Sequence, residues 1–228
     1  MARTLKRFQI RIKNLLQDYF DDLRRRNSNI AGIDIQVETE WKAFRRDTGF
    51  LYSPFVDIAV GPFAVEAYQY SEDYTRLINA SETLVTSLLN IFESNYSSIF
   101  STRDSTSYSS YDLSSLPSLQ DFTSNASNDN ARCLFAIEIE KSGSRKHRLG
   151  DLVNAAALGR MGILVAWDEE VLRSFFRILQ YFKFLNAAGK PTLAALHGRA
   201  AKNIIILTMS QLDNILAADE VGLSQLPD

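Results

Sequence analysis

Residues 134–148 read LFAIEIEKSGSRKHR, an apolar run that ends in two glutamates, Glu138 and Glu140, before a basic turn. Apolar, β-branched content over residues 133–140 predicts a strand. Side chains alternate across a strand, so Leu134, Ala136, Glu138 and Glu140 share one face, and Phe135, Ile137 and Ile139 share the other. The two carboxylates then lie roughly 7 Å apart on an edge of the sheet. Like charges on a half-buried face are costly unless a cation neutralises them. A hard, oxygen-seeking ion such as Mg²⁺ (or Mn²⁺) suits them, because it needs only one or two carboxylates plus water and phosphate.

A third acid stands in a comparable place. Asp57 interrupts FVDIAV, residues 55–60, a second predicted strand. Around it the chain alternates between helical and extended signals. Residues 4–26 carry Leu5, Phe8, Ile12, Leu15, Leu16, Tyr19 and Leu23 at helical spacing and close on three arginines. Residues 34–46, with Val37, Trp41 and Phe44, read as a second helix, so that residues 1–47 form N-terminal helices. Strands are expected near 49–53 and 55–60, with a turn at Gly61-Pro62 and a further extended piece to Tyr68. Residues 71–92 return to helix. Residues 94–130 are rich in Ser, Thr, Asn and Asp and read as a flexible insertion. Beyond the acidic strand come a helix (148–161), a strand (162–167), a helix (169–186), a strand (204–209) and a short helix from Ser210, with Asp213 completing a capping arrangement. GILVAW and IIILTM do not alternate, which implies strands covered on both faces.

The totals bound the function. The chain has 228 residues, 46% hydrophobic and 23% charged, in the range of a globular protein read as one domain over 1–228. Cys133 is the single cysteine and His147 and His197 are the only histidines, which leaves no disulfide and no zinc set. No apolar run reaches the roughly 20 residues of a membrane span, and a cytoplasmic location without membrane association is expected. A net charge of −2 excludes a coat-like nucleic-acid binder but not an enzyme that combines an acidic metal pocket with local basic patches.

A carboxylate on one strand, a pair on the next, then a helix and a further strand resembles the PD-(D/E)xK nuclease superfamily. The resemblance spans residues 34–60 and 133–167. It implies a restriction-endonuclease-like α/β fold: a mixed sheet flanked by helices, built as helix, three-stranded antiparallel meander, helix and strand. It also implies Mg²⁺-dependent hydrolysis of DNA, with Asp57 and Glu138 as the two family acids and both, with Glu140, as metal ligands. Glu140 stands where the family places a catalytic lysine, an E-x-E version, and Lys141 is one residue out of register. Glu40, with Glu38 beside it, falls where many members carry an additional helical acid; the other reading is a solvated helix face.

The segment after the pair supplies Arg145, Lys146, His147 and Arg148 at a helix entrance, where amides and cations attract phosphate. His147 could assist proton transfer or simply be exposed. Trp41 and Trp167 read as core, LNAAGKP lacks phosphate-loop spacing, and Ser142 and Ser144 lack a triad. DNA is the expected partner, and a homodimer is left open. Two other readings stand beside the enzyme: a non-catalytic nucleic-acid-binding or assembly module of the same fold, and a helical protein-interaction module. In a third, bland arrangement the glutamates lie on a solvent-facing edge, salt-bridged to the basic turn.

Overall fold

The computed structural model describes residues 2–43, 54–101, 116–124, 128–141, 144–187 and 202–223. Their elements run α1 (Ala2–Arg26), β1 (Val37–Lys42), β2 (Phe55–Val60), α2 (Ser71–Ala80), α3 (Glu82–Ser101), α4 (Leu119–Thr123), β3 (Cys133–Glu140), α5 (Arg145–Leu158), β4 (Gly159–Ala166), α6 (Glu169–Ala187), β5 (Ile204–Thr208) and α7 (Met209–Leu223). The five strands form one mixed sheet in the order β1-β2-β3-β4-β5. β1, β2 and β3 make an antiparallel meander; β4 and β5 then add parallel to β3. Parallel neighbours need a crossover, and α5 and α6 supply it. The architecture is therefore α/β, a mixed open sheet flanked by helices.

The acidic strand is the middle of this sheet, not an edge. All eight residues of β3 are buried, as are all eight of β4 and four of five in β5. Continuous burial is the pattern of strands covered on both faces, as the unalternating apolar runs predict. On one side Phe20 of α1 meets Phe135 edge-on at 5.8 Å between ring centres, and Phe92 of α3 stacks on Phe176 of α6 at 5.5 Å.

Several expectations are corrected. Residues 37–42 are a strand, not a second helix. From Ile33 to Ala43 buried and exposed residues alternate, broken only around Glu38–Glu40. The four-residue spacing of Val37 and Trp41 fits a period of two as well as a helical turn, and the intervening Ile33, Ile35 and Val37 decide for two. No strand continues toward Tyr68, where the chain makes turns. The helix expected over 71–92 breaks at Ser81, whose hydroxyl donates to the Leu77 carbonyl at 2.7 Å, and α3 resumes and runs on to Ser101. The Ser-rich stretch is thus partly structured: Tyr96, Phe122 and Asn128 are buried. Residues 102–115 and 125–127 lie outside the described residues, as do the strand expected near 49–53 and His197. α7 is capped two residues earlier than Ser210. Thr208 Oγ1 accepts from the Gln211 amide at 3.3 Å and Gln211 Oε1 accepts from the Thr208 amide at 2.8 Å, a reciprocal capping pair. Asp213 instead pairs with Arg11 of α1 at 2.6 Å.

Buried polar side chains fix α5 against the sheet. Asn128 Nδ2 donates to the carbonyls of Ala157 at 3.0 Å and Gly159 at 2.9 Å, and Asn203 Nδ2 donates to Ala156 at 2.8 Å. These asparagines satisfy carbonyls that a helix leaves unpaired at its C-terminus. Arg160, 1% exposed, reaches the Phe122 carbonyl, Asp129 and Thr75, which ties α4 and α2 to β4. Gly162 lets α5 approach: a Cβ there would lie 2.8 Å from the Ala155 backbone and 2.5 Å from Ile204 Cδ1. Gly150 on the same helix has nothing within 4 Å of an added Cβ.

The two glycines therefore predict opposite signs in thermal or denaturant unfolding. Gly162→Ala is expected to destabilise by about 1–3 kcal/mol through overpacking, and Gly150→Ala to stabilise by up to about 1 kcal/mol through helix propensity. Equal effects would contradict the close α5–β4 contact.

Candidate active site

The ladder between β2 and β3 pairs Ile58 with Ile137, Ala59 with Ala136 and Val60 with Phe135. One step further, side chains replace the backbone exchange. The Ile139 amide donates to Asp57 Oδ2 at 2.7 Å, and the Asp57 amide donates to Glu138 Oε2 at 3.3 Å. Each acid thus bonds the neighbouring strand's main chain, and the two are held beside one another. Gln9 Nε2 of α1 donates to Asp57 Oδ1 at 2.8 Å, and Asn154 Nδ2 of α5 reaches Glu138 Oε1 at 3.4 Å. The pair is accordingly gripped from two helices.

Burial and like charge set the electrostatics. Glu138 is 5% exposed and its carboxyl is held well above the usual range, by desolvation first and then by the charges of Asp57 and Asp151. Asp57 is raised too, again by desolvation, with Glu140 and Glu40 adding to it and the Ile139 amide and Gln9 opposing it. Asp151 of α5 is pushed up to about 7 by desolvation and by the charge of, and hydrogen bond with, Glu140. Glu140 itself is buried. The surface salt-bridge arrangement, with the glutamates on a solvent-facing edge, does not fit this burial.

The remaining sequence-predicted residues separate. Glu40 is on β1 rather than a helix, exposed, with φ 51°, at the position that the β1–β2 register skips. The register is the same on either side of that position, so Glu40 stands opposite Asp57, to whose rise it adds. Glu38 lies on the same strand, paired with Ala59. Lys141 does not turn into the acids: its Nζ sits 4.0 Å above the ring centre of Trp167. Lys146 and His147 are exposed on the first turn of α5. Arg145 begins that helix, and its side chain lies outside the described residues. Arg148 donates to Ser174 Oγ at 2.7 Å, and its charge lowers Asp151. Its buried Nε has no acceptor among the described residues.

Sequence reasoning missed Gln9, Asp151 and Asn154. Asp151 and Asn154 stand three apart, in line with Leu158 four residues on, so two polar residues share a helix face with a buried leucine. Gln9 sits between Phe8 and Ile12 in the apolar stripe of α1. Each is a polar residue on an apolar face, the same signal that exposed the glutamates. Among the described residues no group of three or more His, Cys, Asp or Glu converges closely enough to hold a metal ion by itself. Two surface clefts of about 550 Å³, both bordered by Arg76, lie among residues 27–36 and 62–80 and include none of these acids. No helix of the described residues is long and apolar enough to cross a membrane.

No family model matches the chain, and neither a curated protein nor a solved structure gives a match to it.

Raised carboxyls make stability pH-dependent. The folded state holds protons that the unfolded chain has released, so stability is full below the ordinary Asp value of 3.8 and is lost as pH rises toward about 7. In chelator, the melting temperature is expected to fall between pH 5 and pH 8. Asp151→Asn should flatten that fall. A parent and an Asp151→Asn protein with identical pH slopes would contradict the assignment.

Proposed function

We propose that this protein is a divalent-metal-dependent nuclease of the PD-(D/E)xK type that hydrolyses DNA phosphodiesters. The observation that carries the reading is the reciprocal bonding of Asp57 and Glu138 across β2 and β3, which sets two buried acids side by side. The order α1, antiparallel β1-β2-β3, α5 and parallel β4 supports it, since it is the order that the resemblance implies once α2, α3 and α4, inserted between β2 and β3, are set aside.

The donor set suits a hard cation. Mg²⁺ commonly takes only one or two carboxylates and completes its sphere with water and phosphate. A pair of carboxylates is a donor set of that kind. Asp57 and Glu138 would hold the ion, with Glu140 next to them. When bound, such an ion polarises a phosphoryl oxygen and acidifies a water. The chain's own groups do the rest. Gln9 and the Ile139 amide orient Asp57, and Asn154 orients Glu138. Asp151, poised near neutrality and bonded to Glu140, can hold or accept a proton where the family places a lysine. Arg148, whose charge lowers Asp151, would add a cation for a phosphate oxygen.

Purified protein with Mg²⁺ or Mn²⁺ is expected to cleave DNA. Asp57→Ala and Glu138→Ala should abolish cleavage. Gln9→Ala and Asn154→Ala, which loosen the ligands, should lower it by about 10–100-fold. Activity in chelator, or full activity in both alanine variants of the acids, would overturn the proposal. One observation favours a second reading, a non-catalytic DNA-binding module: Lys141 is occupied with Trp167 and Glu140 replaces the lysine. DNA binding without cleavage in any divalent metal would select it.

A further inference from the structure

The N-terminal half of α1 has a charge pattern that packing does not explain. α1 spans 25 residues, and up to Gln17 it carries Arg3, Lys6, Arg7, Arg11 and Lys13 with no acid; Asp18 is the first. Lys6 and Arg7 are exposed and Lys13 is half-buried. None of these three has an ion-pair partner among the described residues; Arg11 pairs with Asp213. A solvated helix face ordinarily mixes both signs, as the C-terminal part of this helix does, where Asp21 and Asp22 pair with Arg24, Arg25 and Arg26.

One hydrogen bond locates this basic half. Gln9, 7% exposed, donates to Asp57, so the helix is pinned to the acid pair at that residue. Lys6 is three residues before Gln9 and Lys13 four after, which sets both on the same side of the helix, one turn above and below it. Ile10, 48% exposed, lies between them. Across the acids, Asn154 bonds Glu138 from α5, whose first turn carries exposed Lys146 and, deeper, Arg148. The acids thus lie between two cationic helix segments.

We propose that the α1 face formed by Lys6 and Lys13 is a DNA-backbone contact surface that lays a strand's phosphates along the acid pair. Backbone phosphates reward spaced, mobile cations with no sequence reading, through release of condensed counterions. Cations one turn from the Gln9–Asp57 bond would also offset the repulsion that a carboxylate cluster exerts on a polyanion. The choice of DNA as partner rests on the nuclease reading; the placement of Lys6 and Lys13 one turn either side of the Gln9–Asp57 bond does not.

The test uses full-length Glu138→Gln protein in chelator and a fluorescein-labelled 20-base-pair duplex, with affinity read by anisotropy across a salt series. Two double variants with the same charge change are compared: Lys6→Ala/Lys13→Ala beside the acids, and Arg25→Ala/Arg26→Ala at the far end of α1, roughly 24 Å away at 1.5 Å per residue. The first pair should weaken binding and lower the slope of log affinity against log salt by about 2. The second should change the slope by less than half of that, and both should keep the parent melting temperature. Equal slopes for the two pairs, no duplex binding at low salt, or a preference for anionic phospholipid vesicles over DNA would overturn the inference. Binding is read without metal or turnover, so a protein that grips DNA through Lys6 and Lys13 yet never cleaves it refutes the nuclease reading and leaves this one standing.

Discussion

The molecule is organised around one exchange of hydrogen bonds, the Ile139 amide to Asp57 and the Asp57 amide to Glu138. Where β2 and β3 would continue an ordinary ladder, two carboxylates take over the amides. The bonds recover part of what desolvation costs the ionised acids, and they stop the strand ends from fraying at the point where the acids lie. Burial nevertheless prevails, because both carboxyls remain raised. A fold built for stability alone would place Val or Thr at positions 57 and 138. The acids persist at a standing electrostatic cost, which a bound cation would remove.

Much of the fold serves to keep that exchange in place. α5 has to lie close enough for Asn154 and Asp151 to meet β3, and Gly162 permits the approach. Asn128 and Asn203 cap its far end, and Arg160 ties β4 to the segments around α2 and α4. On the other side, α1 is fixed through Phe20 against Phe135 and through Gln9 against Asp57.

The core of the site was legible because Glu138, Glu140 and Asp57 are charged residues inside apolar strands, where an unpaired charge has no structural use. The parallel half of the sheet was legible for a related reason, since GILVAW and IIILTM are too uniformly apolar to face water. Glu40 was misplaced because a spacing of four satisfies both a helix and a strand, and only the wider alternation from Ile33 to Ala43 separates them. Gln9, Asp151 and Asn154 escaped because polar residues on helices are ordinarily solvated. Their meaning depends on which helix face meets the sheet, a tertiary fact. The departure of Lys141 toward Trp167 was equally hidden, since it depends on where β4 ends.

The central claim is that these buried acids form a cation site. Its most direct test is calorimetric titration of Mn²⁺ into metal-free protein near pH 7, repeated in buffers of different ionisation enthalpy. Displacing protons from raised carboxyls makes the heat depend on the buffer. The account predicts saturable binding with proton release, lost in Glu138→Gln. Absence of saturable binding, or binding that Glu138→Gln leaves unchanged, would contradict it.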